Sequence, residues 1–145
     1  MRPLSLTAIL FLVGADATAD AVKKELSLLN GEWTMVSGER DGQPLPESFV
    51  QSAKRVARDG ETTVTFGDMV FMKAKMTVDP SKKPKAIDYD VLDGSAKGKK
   101  VLGIYEFDGD TVKFCFAGPD KDRPSEFQSK EGSGHTLSVW KRKME

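Results

Sequence analysis

The chain has one cysteine, Cys115, among its 145 residues. An intrachain disulfide is excluded, so stability must come from packing and backbone pairing. Histidine is equally scarce, with His135 alone. A zinc site of the usual imidazole and thiolate ligands lacks its parts. A nucleophilic site would have to bring His135 to Ser133 or Cys115 beside an orienting carboxylate, and no nucleophile-elbow pattern is present. Charge of one sign is also missing. The 22 basic and 22 acidic residues cancel, which argues against a dedicated nucleic-acid binder and against strong steering toward anionic surfaces. Long apolar runs are absent but for residues 4–13, and that run is shorter than the roughly 20 residues a membrane span needs.

The short run has the context of an export signal. Arg2 precedes it, and small residues follow in Ala15-Asp16-Ala17 and Ala19-Asp20-Ala21. Both triplets fit the small-x-small cleavage rule. Residues 1–21 are read as a cleaved signal peptide, with cleavage after Ala17 as the alternative to Ala21. The expected product is residues 22–145, a single exported domain, periplasmic or extracellular, with no stable membrane anchor. Removal of Arg2, Asp16 and Asp20 leaves 21 basic and 20 acidic residues. A chain of about 124 residues is long enough to bury a core without staples.

What is present is mostly β patterning. Residues 21–30 are the one good helix candidate, with Val22, Leu26 and Leu29 on one face and Asn30-Gly31 as a stop. This short helix should lean on the sheet structure or plug one end of it. Beyond it, Asp-Gly pairs recur at 41–42, 59–60, 93–94 and 108–109, the signal of tight turns. The pairs at 59–60 and 108–109 lie between apolar runs and read as hairpins. In residues 69–78, Val70, Met72, Ala74, Met76 and Val78 alternate with Lys73, Lys75 and Thr77, as a strand with one buried face requires. Residues 86–91 repeat the pattern with Ile87, Tyr89 and Val91 inward; in 62–66 Val64 and Phe66 oppose Thr63 and Thr65. Residues 101–107 and 111–117 are apolar on both faces and should lie under another element, the helix being the candidate. Residues 32–40, 53–58, 125–129 and 135–142 complete a set of eight or nine antiparallel strands, the number of a closed barrel. The stretch 43–52 is read as a linker with one helical turn.

Gly31-Glu32-Trp33 at the start of the first strand resembles the Gly-x-Trp signature of lipocalin-like barrels. The resemblance implies that Trp33 closes one barrel end against a basic residue of the last strand, Arg142 or Lys141. Four segments carry a closer likeness: LNGEWTMVSGERDGQPLP (29–46), DPSKKPKAID (79–88), LGIYEFDGDTVKFCFA (102–117) and RPSEFQSKEGSG (123–134). Together they resemble a family of uncharacterised, mostly secreted lipocalin-like domains expanded in planctomycete bacteria. The likeness implies an all-β, lipocalin-like antiparallel barrel and carries no activity with it.

The candidate chemistry is sparse. Asp88, Asp90 and Asp93 supply oxygens but match no calcium-loop spacing. Two lysine groups, Lys82-Lys83-Lys85 and Lys97-Lys99-Lys100, would make an acidic-partner surface only if their loops converged. Val64, Phe66, Met72, Met76 and Tyr89 are the candidate barrel lining, and Gly31, Trp33 and Arg142 the candidate closure. Sequence does not separate a filled barrel from a hollow one; a filled or nearly filled interior is the favoured expectation. The resulting expectation is a monomeric, non-catalytic exported binding domain without cofactor. Its ligand would be a small apolar or amphipathic molecule. The alternative is a protein-interaction or inhibitor module acting through residues 79–85 and 118–124.

Overall fold

A computed structural model describes residues 18–144. The expected leader lies outside these residues except for 18–21, which form the first turn of a helix, α1, described over 18–29. The elements that follow are β1 (Gly31–Arg40), β2 (Gln43–Pro44), α2 (Glu47–Ser52), β3 (Ala53–Arg58), β4 (Glu61–Phe66) and β5 (Met69–Asp79). Then come β6 (Lys85–Asp93), β7 (Lys100–Asp108), β8 (Thr111–Phe116) and β9 (Thr136–Arg142). β1 and β3 to β9 pair in chain order, each antiparallel to the next, and β9 returns to β1. The result is a closed eight-stranded barrel with β2 as a two-residue extra strand. Closure leaves the eight barrel strands without a free edge.

Local chemistry sets the turns. Asp59 and Gly60 both take positive φ, +53° and +80°, between the paired residues Arg58 and Glu61. This is the primed hairpin turn that Asp-Gly favours. Asp41-Gly42 does the same between Arg40 and Gln43, so a third Asp-Gly pair closes a hairpin.

Two strand expectations are corrected. The ladder between β4 and β5 runs Val64–Met72, then Thr65–Val70, skipping Phe71. This bulge reverses the alternation beyond it. Val70 is turned out and half exposed, while Phe71 reaches the barrel mouth. Residues 125–129 form no strand. β8 pairs directly with β9, Phe116 opposite Thr136, so the sheet offers that segment no place. Instead, the connection from 117 to 135 packs outside β7 and β8. Cys115 Sγ donates to the Gln128 carbonyl at 3.3 Å, and Lys113 Nζ lies over the Phe127 ring. Arg123 donates to the carbonyls of Ile87 and Gly103 and pairs with Asp88 at 2.8 Å. This segment, rather than α1, covers the outward Cys115, and its ladder partner Ile104 is buried beside it.

α1 plugs one end of the barrel. Its face carries Val22, Leu26 and Leu29 into the core, and full burial of Leu29 contributes about 2 kcal/mol. The core at this end includes Trp33, Val78, Tyr105 and Val112. Trp33 Nε1 donates to the Leu29 carbonyl at 2.9 Å. Glu25 is buried and accepts from Tyr105 Oη at 2.8 Å and from Lys85 Nζ at 2.9 Å. Arg142 lies 4.2 Å over the Trp33 ring and donates to the carbonyls of Asn30 and Leu28. It thereby takes up orphan carbonyls at the helix C-terminus. No helix of the described residues is long and apolar enough to cross a membrane.

Candidate functional site

The opposite end of the barrel is open. A cavity of about 440 Å³ enters there, within the range of small-molecule sites. β5 enters at the mouth and leaves at the plug; β6 runs back, and the later strands alternate likewise. The walls are therefore the mouth-side inward residues, among them Val64, Met72, Tyr89, Val91, Val101 and Phe116. α2 forms one side of the entrance. Phe49 stacks on Phe66 at 5.2 Å and meets Phe71 edge-on at 5.1 Å.

The barrel is thus filled at the plugged end and hollow at the mouth, which neither simple expectation described. Val64, Met72 and Tyr89 are walls of the cavity. Phe66 is not; it is held at the rim by Phe49. Met76 is buried in the core and lies outside the walls. Four residues nearer the plug than Met72 in β5, it is overlain by packed side chains rather than open space.

Arg55 is the wall residue that sequence reasoning missed. β3 reads AKRVAR, and Ala53, Arg55 and Ala57 are buried while Lys54, Val56 and Arg58 face out. The two alanines at period two mark the inner face, and Arg55 lies between them. Its guanidinium is 4.7 Å from the Phe114 centroid and 4.5 Å from that of Trp140. Nη1 donates to Tyr89 Oη at 2.7 Å and to Thr62 Oγ1 at 3.1 Å. Burial raises the Tyr89 pKa above its ordinary value; the charge and hydrogen bond of Arg55 pull the other way. The phenol stays protonated at neutral pH. Trp140 Nε1 is satisfied by Ser138 Oγ at 2.9 Å.

The other candidates do not assemble. His135 lines a shallow hollow of about 160 Å³ with Ser125, Glu126, Gln128, Lys130 and Ser133. Ser133 Oγ donates to the Lys130 carbonyl and accepts from the His135 backbone N–H, which is turn chemistry. Cys115 is sealed, and burial pushes its thiol pKa up. The described residues hold no cluster of three or more His, Cys, Asp or Glu side chains suited to a metal ion. The lysine groups sit at opposite ends. Lys82 and Lys83 lie beyond β5 at the plug, while Lys99 and Lys100 at the mouth pair with Asp120 and Asp90.

Fold and site together define a closed antiparallel β-barrel with a plugged end and one open, largely apolar cavity. Comparison with protein-family models, curated proteins and solved structures finds no match for this chain.

Proposed function

We propose that the chain is an exported, non-catalytic binding domain that holds a small apolar or amphipathic ligand in the open half of its barrel. The observation that carries this reading is the 440 Å³ cavity, walled mainly by Met35, Val64, Met72, Val91, Val101 and Phe116. Such a concave apolar surface, preformed on a closed barrel, is the usual setting for small-molecule capture. Few titratable groups face it, which favours holding over chemistry.

The test is titration with N-phenyl-1-naphthylamine, a neutral dye that brightens in apolar surroundings. Saturable binding at one site per chain is expected. Met72→Trp fills the cavity and should weaken binding at least about tenfold, since overpacking and lost space act together. No saturable binding to the folded protein, or equal binding by Met72→Trp, would remove the proposal.

A further inference from the structure

Arg55 asks for more than an apolar ligand. The residue is buried, with 5 % relative exposure. No ion pair of the described residues includes it. Both acceptors on Nη1 are neutral hydroxyls, from Tyr89 and Thr62. Nε is buried with no acceptor at all, and Nη2 makes no hydrogen bond among the described residues. Withdrawing a cation from water without an anion is costly. The Phe114 and Trp140 ring faces offset part of that cost, and leave the charge unbalanced.

The cavity repeats this sign. Its charged wall residues are Arg55 and, at the mouth, Arg40; no acidic residue lines it. Tyr89 adds a donor. Its oxygen accepts from Arg55, so its own proton is free to be given. The donors Nε and Nη2 form the edge of the guanidinium fork that matches a planar carboxylate. Nε is closed to solvent, so the guanidinium must turn slightly to present that edge.

We infer that the cavity takes an amphipathic monoanion, a carboxylate on one apolar tail. The headgroup lies on Arg55 and the Tyr89 hydroxyl, and the tail lies along Met72, Val91, Val101 and Phe116 toward the mouth. One buried positive charge is balanced by one negative charge, and the apolar walls cover the rest of the ligand. This inference rests on the binding reading above and names the ligand class for the same site.

Three probes of equal tail length separate the two ideas: decanoate, 1-decanol and decyltrimethylammonium, each competed against N-phenyl-1-naphthylamine. A hydrogen bond to a charged group predicts that the wild-type protein prefers decanoate over decanol by on the order of ten- to a hundredfold. The cationic probe should compete worse than decanol. Arg55→Met should abolish the preference for decanoate, and Tyr89→Phe should reduce it. Decanol binding as tightly as decanoate to the wild-type protein overturns the inference and leaves the binding reading standing. Dye and all three probes failing together overturns the binding reading itself. The wild-type comparison decides the matter even where Arg55→Met does not fold. A folded Arg55→Met protein that keeps the preference shows Arg55 to be structural and also overturns the inference.

Discussion

The plug is held to the barrel through a small number of polar contacts, and Glu25 supplies two of them. Glu25→Ala removes both. Tyr105 is 1 % exposed, so its hydroxyl loses its acceptor in a place water does not reach. An unpartnered buried hydroxyl costs about 1–3 kcal/mol. The Lys85 pair adds less, because the lysine side chain is 40 % exposed; about 0.5–1 kcal/mol is appropriate to a half-solvated pair. The expected loss is about 1.5–4 kcal/mol. Glu25→Gln keeps an oxygen for Tyr105 and should lose about 1 kcal/mol. Urea unfolding followed by the fluorescence of Trp33 and Trp140 reads the effect as a lower midpoint with an unchanged slope. Glu32→Ala is the control. Its pair with Lys143 spans 3.7 Å between side chains more than half exposed, so it should change stability by less than about 0.5 kcal/mol. If Glu25→Ala falls no further than Glu32→Ala, Glu25 does not fasten the plug.

Other outcomes follow from the same packing. Arg142→Ala removes two donors from the α1 carboxyl end and the cation over Trp33, and should cost about 2–4 kcal/mol in the same unfolding assay. Arg142→Lys should recover only part, because an ammonium lacks the planar fork. Gly103→Ala places a methyl group against the Phe116 ring; a loss of about 1–3 kcal/mol is expected, with a changed Tyr89–Phe116 contact visible in ring-current shifts. The Cys115 thiol should react with a disulfide reagent far more slowly in the folded protein than in urea. Its folded pKa is raised, so the unfolded chain ionises first; this contribution is present below the ordinary value of 9.0 and stability falls as pH rises past it.

Much of the barrel is readable because strands such as β3, β5 and β6 turn their buried residues to one face at period two. The pattern of residues 53–58 coincides with β3, and the Asp-Gly pairs at 59–60 and 108–109 close the hairpins they predict. Trp33 and Arg142 meet at the plug because the first and last strands close the barrel. Four features escape the sequence for physical reasons. Val70 carries the right alternation, but a bulge opposite Thr65 reverses it, and no turn residue announces the bulge. Residues 125–129 have strand-like composition, yet their place was decided by the distant β8–β9 pairing. Arg55 escaped because a charged residue in a strand reads as outward. The signal against that was Ala53 and Ala57, small residues on the same face. The hollow half depends on how side chains from several strands fill one space, which no single segment reveals.

Methionine methyl groups offer the most direct test of where a ligand sits. Met35 and Met72 line the cavity, Met76 is buried outside it, and Met69 and Met144 are exposed. Methyl-labelled protein titrated with N-phenyl-1-naphthylamine should show saturable ring-current shifts at Met35 and Met72. Met76 and Met144 should hold their positions. Shifts confined to Met69 or Met144, or no shifts at saturating dye, would contradict a binding site inside the barrel.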